Sequence, residues 1–202
     1  MTKILNSRQK DFNIVIVGTG GQGLITLLKI LAEAAMLRGF SFKTSELHGL
    51  SQRGGSVECH LRFGKEIHSP LVMAGKADLL FALEQNEALR ACYYGSKEKT
   101  TFLVNKFSVF SAGSSGEVLS VDKISKALKK FSKKLILLDA ADSVKKETGA
   151  VISAGIYMLG YAVFNNLIPL SSDLVLEAIV KTVPEKYSEL NKKVFKLPLK
   201  VQ

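Results

Sequence analysis

The chain has 202 residues, 47% of them hydrophobic and 23% charged, with a formal charge of +10; this is the size of one domain, residues 1–202, with a substantial core, and it excludes a disordered or fibrous chain. Two cysteines are too few for a disulfide framework or for an iron–sulfur cluster, which takes about four thiolates, so a reduced, cytoplasmic protein is expected. The basic excess is dispersed rather than gathered with aromatics into a stripe, which argues against a nucleic-acid partner, and the first residues carry lysines and an arginine without an apolar segment of secretory length, so no signal peptide is expected.

The first informative stretch runs from Asn13 to Gly23. Ile14 to Val17 are β-branched and uncharged, as in a strand covered on both faces. Gly18-Thr19-Gly20-Gly21-Gln22-Gly23 then matches G-x-G-x-x-G ahead of an amphipathic helix, Gly20 to Arg38, that Gly39 ends. In such a turn glycine permits a sharp bend, close approach of backbone to phosphate, and tight packing of helix on strand. Gly18, Gly20, Gly21, Gln22 and Gly23 are therefore candidate ligand contacts, and a purely structural turn is the alternative.

Ser41 to Ser45 reads as the second strand. Glu46 at its tip stands about twenty residues past the glycines, where a dinucleotide fold places its ribose-binding acid; a solvated charge explains it equally well. His48 to Ser56 is a polar, glycine-rich loop that no packing argument requires. It follows the carboxyl end of a strand, so it should face the same crevice as the glycine turn. Arg53 suits a phosphate or carboxylate, with Ser51 and Gln52 as hydrogen-bonding neighbours, unless Arg53 only fixes its own loop.

Ser56 to Phe63 alternates as a half-buried strand, with Cys59 facing the core and Glu58, His60 and Arg62 on the opposite, polar face; adjacent Cys59 and His60 therefore cannot share a metal. Gly64-Lys65 is expected to turn the chain into an antiparallel hairpin through Glu66-Ile67-His68, closed by Pro70. Strands follow at Ala77–Leu83, Thr100–Val104, Val118–Val121 and Leu135–Leu138, with helices at Glu84–Cys92 and from Asp122. The charge-free segment Gly149 to Ser172 is as long as a membrane span, but Asn165, Asn166 and Pro169 interrupt it; its small residues suit a central packed helix or a partner surface. Ser171 or Ser172 should cap a helix through Lys181. Thr182-Val183-Pro184-Glu185 reads as a capping box that opens a last helix with Tyr187, Leu190 and Val194 facing inward. The expected fold is α/β: a three-layer, Rossmann-like domain with a mostly parallel mixed sheet, a β-hairpin and a helical C-terminal tail.

Taken together, the glycine turn and Thr44-Ser45-Glu46-Leu47-His48-Gly49-Leu50-Ser51-Gln52-Arg53-Gly54-Gly55-Ser56-Val57 closely resemble the small, gamma-type subunits of the 2-oxoacid:ferredoxin oxidoreductases, most of all their indolepyruvate branch. The likeness continues through Ala77 to Leu89 and Val183 to Asn191, and so spans nearly the whole chain. It implies oxidative decarboxylation of an aryl 2-oxoacid to an acyl-CoA, with coenzyme A and ferredoxin as co-substrates. Thiamine diphosphate, Mg and 4Fe-4S clusters are the implied cofactors. This chain has no G-D-G…N metal-diphosphate motif, and Cys59 and Cys92 cannot ligate a cluster; those centres would lie on a larger partner subunit, in a hetero-oligomer without a membrane or nucleic-acid partner. No catalytic residue and no metal ligand is expected on this chain. The alternatives are a self-sufficient NAD-dependent enzyme, resting on the glycines and Glu46, and a non-catalytic interaction module whose apolar helix docks a partner.

Overall fold

The computed structural model describes residues 11–49, 54–108, 119–149 and 153–200. Its centre is β1, Phe12–Thr19, whose Ile14, Val15, Ile16 and Val17 are fully buried because both faces of the strand are covered. The other strands are β2 (Ser41–His48), β3 (Ser56–Gly64), β4 (Leu79–Ala82), β5 (Thr101–Asn105) and β6 (Lys134–Leu138). They form one mixed sheet in the order β2-β3-β1-β4-β5-β6. β1, β4, β5 and β6 pair in parallel; β3 pairs antiparallel with both β1 and β2, so it alone runs in reverse.

Two cores sandwich the sheet, which is the expected three-layer arrangement. On one face Ile14, Ile16, Cys59, Leu61 and Phe81 pack against α1 (Leu24–Leu37), α4 (Ala140–Thr148), α5 (Ala154–Phe164), α6 (Ser172–Thr182) and α7 (Glu185–Lys196). On the other, Val15, Val17, Leu80 and Phe102 meet α2 (Gln85–Arg90) and α3 (Val121–Leu128). The helix α1 buries Leu24, Leu27, Leu28, Leu31 and Ala35, the stripe its spacing predicts, and Gly39 ends it at a φ of 84°. In α5, Gly160 lies where a Cβ would overlap the carbonyl oxygen of Phe195, so the small residues do bring helices together.

Several expectations are corrected. Glu66-Ile67-His68 is not a strand: β3 is already flanked by β1 and β2, so no edge is left for it, and the sheet's hairpin is β2–β3 instead. The departing segment folds over β3, burying Ile67 and Val72 and with them the face expected to be solvated. His60 is 1% exposed; its Nδ1 accepts from the Val72 N–H and its Nε2 donates to Glu58 Oε1 at 2.9 Å. Tyr94 donates to the same carboxylate oxygen at 2.7 Å.

Val121 opens α3 behind its N-cap Ser120 rather than ending a strand. The central helix is shorter than expected: it stops at its C-cap Asn165, and φ turns positive at Asn166. Ser171 holds the N-cap position of α6 without a side-chain bond. No capping box forms at Thr182, which is the last residue of α6, and α7 starts behind Pro184. Val194 is buried as expected, but Tyr187 and Leu190 are 48% and 40% exposed because they border a groove. Ser111 to Gly116, whose serines and glycines spell a loop in the sequence, lie outside the described residues. No described helix is long and apolar enough to cross a membrane.

Candidate functional site

The site is built at the carboxyl ends of β1, β4, β5 and β6, the edge of a parallel sheet where ligands gather. There Gly18 to Gly23 turns the chain from β1 into α1, whose first helical residue is Leu24 rather than Gly20. The glycines divide the work differently from the expected scheme. Gly18 is the close-packing position: a Cβ there would lie 2.5 Å from Gln22 Oε1 and 3.2 Å from Leu83 Cβ. Gly21 and Gly23 take φ values of 100° and 81°, which residues with a Cβ rarely adopt. Gln22 folds back so that its Oε1 accepts from the Thr19 N–H at 2.8 Å, while its own N–H donates to the Thr19 carbonyl.

The turn is clasped to the second loop. The Gly20 N–H donates to the Gly55 carbonyl at 2.8 Å, and the Gly54 N–H to the Gly20 carbonyl at 3.4 Å. Gly20 therefore has no free amide for a phosphate. Among the described residues, the donors left to an anion are the amides of Gly21 and Gly23 and those of the first turn of α1, whose N-cap Gly23 offers no side-chain cap and which has no acid in its first turn. Ser51, Gln52 and Arg53 lie outside the described residues, between β2 and this clasp.

Glu46 is exposed on β2 and lines a depression of about 410 Å³ together with Gly20, Gly21, Gly23, Thr26 and Val57. The structure thus brings the acid and the glycines to one place, but with β3 inserted between their strands. In a dinucleotide fold those two strands are neighbours.

On the other side of the turn a crevice of about 190 Å³ is lined by Gly21, Gln22, Leu83, Asn105, Phe107, Ala141, Ala154 and Gly155. It opens toward a groove of about 540 Å³ whose walls include Gln22, Gly23, Thr26, Gly155, Ile156, Val183, Pro184, Tyr187 and Leu190. Gln22 and Gly155 border both spaces. The start of α5 meets the start of α1 here, and α5 also has no side-chain cap and no acid in its first turn. Two helix N-termini, each with a partial positive charge and with leading amides that have no partner among the described residues, converge on one apolar-walled space; a phosphate there gains on the order of 0.3–1 kcal/mol from each dipole.

Asn105 is the positioning residue that periodicity did not single out. It is 2% exposed, donates from Nδ2 to the Leu83 carbonyl at 3.3 Å and accepts at Oδ1 from the Ala140 N–H at 3.1 Å. It thereby ties the ends of β4, β5 and β6 under the crevice. Its signal is a lone amide closing the apolar run Phe102-Leu103-Val104.

Neither cysteine has the character of a cluster ligand. Burial, aided by the charges of Glu46 and Glu58, pushes the Cys59 thiol up to about 12, and burial also raises Cys92. Cys59 belongs to the α1 side of the sheet and Cys92 packs on the other. Among the described residues no three His, Cys, Asp or Glu side chains gather as a metal site.

Residues 13–200 match the family model described as pyruvate ferredoxin/flavodoxin oxidoreductase. The chain is 35% identical over 187 residues to indolepyruvate oxidoreductase subunit IorB of Archaeoglobus fulgidus, covering 92% of each. It is 34% identical over 194 residues to the subunit of that name from Pyrococcus horikoshii, covering 95% of this chain and 96% of that one. Among solved structures it resembles the gamma subunit of a keto/oxoacid ferredoxin oxidoreductase from Geobacter sulfurreducens, with a TM-score of 0.69 at 23% identity, over 94% of this chain and 96% of that one. It also resembles 30% of a 2-oxoglutarate:ferredoxin oxidoreductase chain from Magnetococcus marinus, described with 2-oxoglutarate, coenzyme A and succinyl-CoA bound, with a TM-score of 0.63 at 18% identity over 96% of this chain.

Proposed function

We propose that this chain, which belongs to the pyruvate ferredoxin/flavodoxin oxidoreductase family, is the small subunit of an indolepyruvate-type 2-oxoacid:ferredoxin oxidoreductase in the cytoplasm. The holoenzyme would convert an aryl 2-oxoacid and coenzyme A to carbon dioxide and an acyl-CoA, passing two electrons to ferredoxin. Thiamine diphosphate with Mg supplies the decarboxylation chemistry in such enzymes, and 4Fe-4S clusters carry the electrons. The described residues of this chain fit neither: the two thiols are on opposite sides of the sheet and held protonated, and no carboxylates cluster. Those groups belong on a larger partner subunit, which closes over the crevice.

The contribution of this chain is to bind and orient coenzyme A. The observation that carries this reading is the convergence of the uncapped, acid-free starts of α1 and α5 on a space that continues into an apolar groove. Coenzyme A has that polarity: phosphates for the amides, and a long, largely uncharged arm for the groove beside Val183, Pro184 and Tyr187. Gly21 and Gly23 keep the turn open to the phosphates, and Gly18 and Gln22 hold its shape. Arg53, which precedes Gly54 in the sequence, would add a planar, bidentate partner for a phosphate or carboxylate.

Calorimetry of the purified chain with coenzyme A, NAD and thiamine diphosphate in separate titrations tests this. Coenzyme A should bind and the other two should not. Binding of NAD alone would favour the dinucleotide enzyme, with Glu46 on the ribose; binding of none, before and after addition of the larger subunit, would leave an interaction module. The chain alone should be colourless and inactive, and cluster absorbance or turnover without a partner would refute the subunit reading.

A further inference from the structure

Six lysines that follow closely in the sequence stand together at one corner of the fold. Residues 119–138 contain Lys123, Lys126, Lys129, Lys130, Lys133 and Lys134 against a single acid, Asp122. Lys126, Lys129, Lys130, Lys133 and Lys134 are exposed and form no ion pair among the described residues. They ring the amino end of β6, beside Phe131, which is 38% exposed.

β6 is also an open edge. Among the described residues its one sheet neighbour is β5. Leu135, Ile136, Leu137 and Leu138 are each only half-buried, whereas all four residues of β4 are buried. The opposite edge, β2, is of another kind, with Lys43, Thr44 and Glu46 exposed along it. The Lys134 N–H donates to the Thr100 carbonyl and the Leu138 carbonyl accepts from the Lys106 N–H, so those residues face β5; by alternation the amides of Leu135 and Leu137 face outward. At its carboxyl end β6 leads straight into Ala141, a wall of the crevice, so a subunit that closes the crevice is roughly 15 Å from the lysine corner along this strand.

We propose that an acidic, extended segment of the larger partner subunit pairs with the outer edge of β6, its carboxylates facing Lys129, Lys130, Lys133 and Lys134. The inference rests on the subunit reading above. An aliphatic edge with outward amides supplies the lasting contact, and the lysines speed and orient the encounter.

The test measures association and dissociation of the full chain on the immobilised larger subunit, at about 0.05 and 0.5 M salt. A fourfold variant, Lys129→Glu, Lys130→Glu, Lys133→Glu and Lys134→Glu, should slow association by about tenfold or more at low salt and flatten its salt dependence. Leu137→Pro, which an edge strand tolerates where the amide faces out, should speed dissociation instead. Lys43→Glu with Lys65→Glu should change neither rate. Parent-like rates in both edge variants, with intact melting curves, overturn the proposal and leave the subunit reading standing. So does loss of binding to phosphatidylserine vesicles or duplex DNA with subunit association untouched. Failure of the parent to bind the larger subunit overturns both.

Discussion

Replacing Gly18 by alanine should loosen the glycine turn through one identifiable contact. The new Cβ would lie 2.5 Å from Gln22 Oε1, 3.2 Å from Leu83 Cβ and 3.3 Å from Leu24 Cδ1. The last two distances close with shifts of a few tenths of an ångström, but the first does not: the Gln22 amide must swing away, and the Thr19 N–H loses its acceptor. Thr19 is buried, so its amide is left without a partner, at a cost of about 1–3 kcal/mol. For a chain of this length that lowers the melting temperature by roughly 2–12 °C. Gln22→Ala removes the same acceptor without adding a Cβ, so its loss should be similar. The decisive sample is the double variant. If the clash acts only through Gln22, Gly18→Ala on a Gln22→Ala background should cost almost nothing more, giving a coupling nearly equal to the single effect. Urea denaturation of the parent, both singles and the double measures that coupling, and simple additivity of the two losses would refute the reasoning.

Gly160→Ala should be more damaging, by upwards of about 3 kcal/mol, since its Cβ would overlap the Phe195 carbonyl oxygen and come within 2.9 Å of the carbonyl carbon, forcing α5 and α7 apart; a parent-like melting curve would contradict this. Arg53→Ala should raise KM for coenzyme A or the oxoacid about ten- to a hundredfold in the reconstituted enzyme with little change in melting temperature, and Arg53→Lys should recover part of the loss; unchanged kinetics beside a large fall in melting temperature would mean that Arg53 only pins its loop. Burial works to raise the Glu58 carboxyl, but the hydrogen bonds from His60 and Tyr94 outweigh it and hold the carboxyl below its ordinary 4.5. A depressed carboxylate stabilises the fold above its unfolded value and loses that contribution as pH falls through the folded one. Stability of the parent should therefore drop more steeply below about pH 4.5 than that of Glu58→Gln; equal slopes in a urea series across pH would count against it.

What could be read from the sequence was whatever local pattern controls alone. β-branched Ile14 to Val17 had to be a covered strand, and the run of glycines behind it had to be a turn. The stripe of leucines in α1 and the terminating Gly39 follow from helical spacing in the same way. The loop at Gly54 and Gly55 does meet the glycine turn, as its place after a strand end suggested. Long-range competition decided the rest. Glu66 to His68 has strand-like punctuation, but β2 had already taken the edge of β3. His60 sits on the polar side of an alternating strand and is nevertheless buried, because a distant segment supplies Val72 and Tyr94 as its cover. Tyr187 and Leu190 have inward spacing, yet they border a groove that exists only where α1, α5 and α7 meet. Asn105 needed the carbonyl of Leu83 and the amide of Ala140 to acquire its role, and neither is near it in sequence.

The reversed direction of β3 bears on the order in which the crevice comes into being. Because β3 runs against β2, the two meet as neighbours in the chain, with His48 opposite Val57, and β3 in turn sets Ser56 against Thr19. The wall made by the glycine turn and the second loop is thus complete once the first 64 residues have paired. The facing wall waits for α5 and α7, which begin 90 and 121 residues further on (154 − 64 and 185 − 64), and loop closure over such distances is slow. Pulse-labelled hydrogen exchange during refolding should find the amides of β1, β2 and β3 protected before those of α5 and α7; the reverse order would rule this out. A ligand that needs both walls would then meet only chains that have finished folding, so binding itself would report completion of the subunit.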